Sequence, residues 1–396
     1  MGLQQTPQAN RLHIGIYGKC NSGKSTLLNA ILNQDVATVS SVAGTTTDPV
    51  YKAMELHGIG PVLWIDTAGF DDDGQLGSLR IEKSKQAIQK TDIALLVCRS
   101  FPLQEELTWI QEFKKSNTPL LPILHVFDEE EVNDEEIETL EKVCGIQPLV
   151  VNAKSKLGID CIRERILALL PQDYGQESIV GHLVSAFDTV LLVMPQDIQA
   201  PKGRLILPQV QTIRDLLDHQ CIVQCCTTDT MKKALEALAS PPALIITDSQ
   251  VFDIVYQQKP KESLLTSFSV LFARYKGDIS YFIQSAKKIK DLTEHSKVLI
   301  AEACTHAPLT EDIGRVKIPA MLRKKAGEGI SITMVSGHDF PQDISDYDLI
   351  IHCGACMFNK KHVISRVEQA KAQNVPMTNY GITIAFIKQI LDKVVY

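Results

Sequence analysis

The 396-residue sequence predicts an α/β protein: a phosphate-loop domain built on a mostly parallel sheet, followed by two further α/β modules. Three observations lead there. Apolar, β-rich runs alternate with helix-patterned stretches from Arg11 to Leu170, the signature of parallel strands covered by helices. The pattern G-x-x-x-x-G-K-S occupies Gly18–Ser25, between a predicted strand and a predicted helix. After the turn-rich "PQDYGQE" at Pro171–Glu177, strand-length and helical runs alternate again with no second phosphate loop.

Each element follows from its pattern. In the first domain, set at 1–172, "LHIGIYG", "PVLWIDTAG", "DIALLVC", "PLLPILHVF" and "PLVVNAK" read as buried strands, while "KSTLLNAIL" and "IDCIRERILALL" have helical spacing. The second module, 178–276, carries the apolar runs "TVLLVMP", "CIVQCCT" and "PALIITD" with helical "VQTIRDLLDH" and "MKKALEALA". Its strands would supply a subunit interface. The adjacent Cys225 and Cys226 would point to opposite faces of one strand. The third module, 277–396, opens with helical "DISYFIQSAKKIKDL", continues with strands "KVLIAEA", "ISITMVS" and "YDLIIH", and closes with an amphipathic "IAFIKQILDKVV".

Bulk composition narrows the function classes. With 44% hydrophobic residues, 22% charged and a net charge of -7, the chain has a globular composition and no phosphate-coating basic surface, so nucleic acid is not the expected partner. No apolar run approaches the roughly 18 to 20 residues that span a bilayer, so no membrane association is expected. Gly2 and Thr6 match an acylation pattern, but no polybasic stretch follows. Ten cysteines without a signal peptide point to a reducing compartment, and the expected location is cytoplasmic.

The phosphate loop defines the first candidate site. Gly18 and Gly23 let backbone amides wrap phosphates, Lys24 would reach the β/γ oxygens, Ser25 would ligate Mg²⁺, and Thr26 follows in the first helical turn. In "WIDTAGF", Asp66 ends a strand where it can hold Mg²⁺ through water, and Gly69 presents an amide to a γ-phosphate. A "DTAG" after such a loop resembles the translation-factor-like GTPases. That resemblance implies GTP as ligand and makes "GTTTDPV" (Gly44–Val50) a first switch whose Thr46 closes onto Mg²⁺, with Lys24, Thr46, Asp66 and Gly69 as the catalytic set. Asn21 resembles the asparagine of GTPases that use K⁺, which implies K⁺ binding there, and "FDDDGQLGSLRIEKS" (Phe70–Ser84) is the expected mobile second switch. The base-recognition motif departs from the family: "HVFD" keeps only Asp128 of N-K-x-D, and "NAK" keeps Ala153 and Lys154 of S-A-K. Looser guanine selection is expected.

The second candidate site combines "ACTHAP", with Cys304 and His306, and "HCGAC", with His352, Cys353 and Cys356. The groups follow two predicted strands, so a sheet could join them across 49 positions (353 − 304). Three thiolates with one or two imidazoles suit Zn²⁺ or an iron-sulfur cluster, and the residues alone leave both open. The order C-x-H, 45 intervening residues, H-C-x-x-C, behind a K⁺-type GTPase domain, resembles the HydF family of FeFe-hydrogenase maturation. The resemblance implies a 4Fe-4S cluster on Cys304, Cys353 and Cys356, with His306 and His352 as candidates for the labile fourth position or its surroundings. It further implies a homodimeric scaffold that receives a transient diiron precursor made with radical-SAM maturases and delivers it to apo FeFe-hydrogenase, with GTP as the switch. The alternatives are a tRNA-modification or ribosome-associated GTPase with a zinc-binding C-terminal module, and a redox-sensing GTPase or a plain structural scaffold.

Overall fold

The computed structural model describes residues 6–33, 40–42, 49–71, 74–99, 101–127, 133–172, 174–175, 177–196, 203, 205–303, 312–337 and 339–396. The chain forms two compact units, Met1–Tyr174 and Gly175–Tyr396.

The first unit is a seven-stranded sheet of β1 (Leu12–Gly18), β2 (Ser40–Val42), β3 (Val50–Leu56), β4 (Gly60–Asp66), β5 (Ile93–Cys98), β6 (Leu120–His125) and β7 (Leu149–Val151), in the order β2-β3-β4-β1-β5-β6-β7. Strands β4, β1, β5, β6 and β7 pair in parallel, while β2 and β3 add an antiparallel edge. All seven residues of β1 are buried, as a central strand covered on both faces requires. Side-chain alternation divides the core in two. Ile14, Ile16, Ile93 and Leu95 face one layer, whereas Tyr17, Ala94, Leu96 and Cys98 face the other. Strand β3 escapes the sequence reading because "VYKAMEL" mixes exposed and buried positions, and its pairing with β4 supplies what the pattern lacks.

The second unit contains two parallel four-stranded sheets. One holds β8 (Thr189–Val193), β9 (Ile222–Cys226), β10 (Leu244–Thr247) and β11 (Leu264–Ser267) in the order β11-β10-β8-β9. The other holds β12 (Lys297–Glu302), β13 (Ser331–Ser336), β14 (Leu349–His352) and β15 (Met377–Asn379) in the order β13-β12-β14-β15. A single core joins them: Leu191, Ile245 and Leu265 of the first sheet cluster with Ile300, Ile350 and Ile351 of the second. Val270 of the helix Phe268–Lys276 and Ile382 of the helix Tyr380–Ile387 belong to that same core. On edge strand β9, Cys225 is exposed and Cys226 packs against the core.

The closing amphipathic helix expected over "IAFIKQILDKVV" is corrected by the structure. The helix starts earlier, where the Asn379 side chain accepts from the amides of Gly381 and Ile382, and it ends at Ile387. Gln389 then adopts φ 58°, which breaks the helical path and leaves a short 3₁₀ turn at Leu391–Lys393. Six of its eight residues are buried, so the element is a core helix with no polar face.

Candidate functional site

The nucleotide site grows from the carboxyl ends of β1 and β4. The loop after β1 turns through Asn21 (φ 58°) and Gly23 (φ 91°) and delivers Lys24 to the first turn of the helix Lys24–Leu32. Lys24 is buried, and its Nζ donates to the carbonyls of Gly18 (3.0 Å) and Lys19 (2.7 Å). Ser25 Oγ donates to Asp66 Oδ2 at 2.8 Å, while Asp66 Oδ1 is buried without a hydrogen-bond partner. Burial raises the Asp66 pKa, opposed by the Ser25 hydrogen bond and the Lys24 charge. An orphaned carboxylate oxygen beside a serine hydroxyl is a donor set suited to Mg²⁺. Thr26 is exposed on the same turn.

Gly69 is placed against the phosphate loop. A Cβ there would lie 2.3 Å from Cys20 Sγ and 2.5 Å from the Cys20 nitrogen. Phe70, just beyond, donates its amide to the Gly18 carbonyl (3.3 Å) and stacks on Trp109 at 4.2 Å. The helix Gly74–Ile88 begins inside the expected second switch and runs past its end at Ser84. Thr46, expected on the first switch, and Asp128, expected on the base, lie outside the described residues, as do Cys304 and His306.

His125 is the functional residue the sequence reading missed. It ends β6 at 1% exposure, with Nδ1 2.8 Å from the Ser22 carbonyl and Nε2 3.4 Å from the Ala153 amide. An amide can only donate, so Nε2 is the acceptor and the ring proton sits on Nδ1, donated to Ser22. Its ring lies so near Gly23 that a Cβ there would fall 2.2 Å from Nδ1. One imidazole therefore ties the phosphate loop to the "NAK" loop, where Asn152 Oδ1 accepts from the amides of Lys154 and Ser155. Burial lowers the His125 pKa, and the Arg99 cation adds to the effect against the Ser22 bond. The only sequence signal was the occupied first position of "HVFD".

In the second unit, parallel pairing of β12 with β14 sets Ala301 opposite His352. Both chains leave the sheet side by side. The Cys353 amide donates to the Ala301 carbonyl (2.9 Å), and Cys353 Sγ accepts from the amides of Ala303 (3.1 Å) and Ala355 (3.4 Å). Ala303, the residue before Cys304 in the sequence, thus lies against the Cys353 loop. Burial pushes the Cys353 thiol up to about 11, with the Cys356 charge next in effect and the two amides opposing both.

A cavity of about 540 Å³ opens on this loop and is lined by Cys353 and Cys356. Phe268, Phe272 and Ile384 give it apolar walls, and Glu302, Asp312 and Tyr380 give it polar groups. Arg315 holds Glu302 Oε2 at 3.1 Å, and Tyr380 donates to Glu302 Oε1 at 3.3 Å.

His352 is buried at 1% exposure, with both ring nitrogens engaged. Arg366 Nη1 donates to Nε2 at 2.9 Å, which places the ring proton on Nδ1 for the Cys353 carbonyl, also at 2.9 Å. Burial, then the Arg366 charge, lowers its pKa to about 3. A ligand role for His352 requires one of these bonds to break. Among the described residues no group of three His, Cys, Asp or Glu side chains is set to hold a metal ion.

The phosphate loop, the Ser25–Asp66 pair and the Gly69 approach define the first unit as a phosphate-loop GTPase domain, and residues 13–154 match the family model described as a 50S ribosome-binding GTPase. The chain belongs to the hydrogen maturase F family: residues 179–277 match the hydrogen maturase F dimerization domain and residues 280–396 the hydrogen maturase F tetramerization domain. Curated relatives match through the first unit. The tRNA modification GTPase MnmE of Chromobacterium violaceum is 33% identical over 187 residues, covering 45% of this chain and 40% of that protein. The GTPase Der of Wolinella succinogenes is 36% identical over 177 residues, covering 42% and 37%. The chain thus spans less than half the length of these relatives. Among solved structures, Era of Aquifex aeolicus bound to GDP·AlF4⁻ aligns over 57% of this chain and 98% of its own, at 17% identity and a TM-score of 0.34. No helix among the described residues is long and apolar enough to cross a membrane.

Proposed function

We propose that this protein is a GTP-hydrolysing scaffold of FeFe-hydrogenase maturation, which binds a 4Fe-4S cluster through Cys304, Cys353 and Cys356 and carries a diiron precursor to apo-hydrogenase. One observation carries the reading: the Ala303 amide donates to Cys353 Sγ, so the chain entering Cys304 runs beside the Cys353–Cys356 loop at the edge of a large, mostly apolar cavity. The donor set fits the group. Thiolates that accept backbone N–H bonds in a partly dry pocket suit an iron-sulfur centre, which supplies soft, exchangeable iron positions when bound.

The chain's own residues do the nucleotide chemistry. Amides of the loop between Gly18 and Lys24 hold the phosphates, and Lys24 offers its ammonium to the β/γ oxygens. Ser25 and Asp66 would hold Mg²⁺, which neutralises charge on those oxygens when bound. Water attacks the γ-phosphorus, the bond to the β–γ bridging oxygen breaks, and GDP leaves with phosphate. Thr46 and the Gly69 amide complete the γ-phosphate contacts, while Asn21 would hold K⁺. Asp128, Ala153 and Lys154 would face guanine. The dimerization and tetramerization domains point to a homo-oligomer. Radical-SAM maturases and apo-hydrogenase are the proposed partners.

The deciding experiment is anaerobic reconstitution of the full chain, followed by iron, sulfide and zinc analysis and electron paramagnetic resonance. Near-stoichiometric 4Fe-4S in the wild type, lost in C304A, C353A and C356A, is expected. Stoichiometric zinc without iron would overturn the reading in favour of a zinc-binding GTPase.

A further inference from the structure

Two cations are buried around the Cys353–Cys356 loop. Lys276, the last residue of the helix Phe268–Lys276, is 1% exposed. Its Nζ donates to three loop carbonyls, those of Ala355 (3.1 Å), Cys356 (3.4 Å) and Phe358 (2.7 Å). Arg366, 2% exposed on the helix Lys360–Ala372, approaches through His352. Its Nη2 donates to the Gly337 carbonyl, its Nε is buried without a partner, and its guanidinium lies 4.7 Å from the ring centroids of both Phe340 and Phe358.

Neither cation is in an ion pair with a carboxylate of the described residues. Carbonyl dipoles and aromatic faces solvate a cation, yet they carry no net negative charge, and burial of an uncompensated charge is strongly unfavourable. The groups able to supply negative charge are the thiols of the loop: Cys356 and Cys353 beside Lys276, and Cys353 beside Arg366.

We propose that Lys276 and Arg366 are positioning residues that act as the built-in counter-charges of the Cys353–Cys356 site, so that the loop is prepared for an anionic metal-thiolate centre before one arrives. Lys276 also fixes the loop's carbonyls, while Arg366 sets the tautomer of His352 and, through it, the Cys353 carbonyl. Because Lys276 falls within the segment matching the dimerization domain and the cysteines within the segment matching the tetramerization domain, the site is completed across that boundary. The inference rests on the iron-sulfur reading given above.

The test is a redox titration of the reconstituted full-length protein, followed by electron paramagnetic resonance, on wild type, Lys276→Gln, Arg366→Gln and the charge-keeping Lys276→Arg and Arg366→Lys. Reduction adds negative charge, so each Gln variant should shift the midpoint to a more negative potential, and each charge-keeping variant should stay near wild type. Loss of the cluster in the Gln variants with retention in the charge-keeping ones supports the same conclusion. A wild-type midpoint in both Gln variants, or equal cluster loss in all four variants, overturns it while leaving the cluster assignment standing. A wild type that takes up no iron sinks the assignment itself, and this inference with it.

Discussion

Removing the His125 clamp should weaken nucleotide binding without touching any phosphate contact. In His125→Ala the Ser22 carbonyl loses a 2.8 Å donor and the Ala153 amide a 3.4 Å acceptor. Each ordinary hydrogen bond contributes about 1 kcal/mol net, and a buried group left unsatisfied costs about 1 to 3 kcal/mol. The 3.4 Å bond belongs at the low end, so the pair together is worth about 2 kcal/mol, or about 30-fold in a binding constant if the bound state must restore both loops. His125→Asn carries an N–H donor and a carbonyl acceptor on one short side chain and should recover most of that, to within about threefold. The assay is titration of a fluorescent GDP analogue in Mg²⁺ buffer, with thermal unfolding of the ligand-free proteins as a folding control. An alanine variant that is folded and binds GDP within about twofold of wild type would refute the clamp.

The same imidazole predicts a pH dependence. Burial holds the folded His125 pKa below 6.5, so between 6.5 and the lowered value the unfolded chain binds a proton that the folded one does not. Its stabilising contribution is therefore fully present above pH 6.5 and is lost as pH falls through that window; His125→Asn should flatten this part of a stability-versus-pH curve, and an unchanged slope would count against it. Gly69→Ala forces a Cβ to 2.5 Å from the Cys20 nitrogen, so GTP turnover should fall by about 100-fold as the loops part, read by phosphate release. Lys24→Ala should cost at least about tenfold in GTP affinity by loss of a charged hydrogen-bond donor while leaving reconstituted iron content at the wild-type level. Cys353→Ala should do the reverse, and a crossed result in either would show that the two sites are not chemically separate.

What could be read from sequence depended on how local each signal was. The phosphate loop and "DTAG" are short, contiguous patterns, so the strand, turn and helix around them were legible, and the structure adds Ser25 on Asp66 and Gly69 against Cys20. That the strands before the two cysteine groups are neighbours was legible because parallel strands end at one edge, as the Ala301–His352 register does. Lys276 and Arg366 were not legible. Each lies in an ordinary helical pattern, and only tertiary packing reveals that it reaches a loop 79 positions away, for the lysine, or a histidine 14 positions away, for the arginine. His125 failed for another reason: measured against N-K-x-D it looked like decay, whereas its ring supplies a donor and an acceptor at one position.

The cysteine loop also shows why the second unit has two sheets but one core. A short loop carrying two thiols, a glycine and an alanine at φ 50° packs only into a small cluster with Ala303, Phe358 and Val363. Its order must come from what surrounds it, and the surroundings come from both sheets. The residue after β12 supplies the Ala303 amide on Cys353 Sγ, the helix after β11 supplies Lys276, and the helix after β15 lies in the core shared with Leu191 and Ile245. A cut between residues 277 and 278 would remove the lysine from the loop and expose that core at once. The boundary between the two family segments is therefore a boundary of sequence description, while the physical unit that prepares the thiol site spans it.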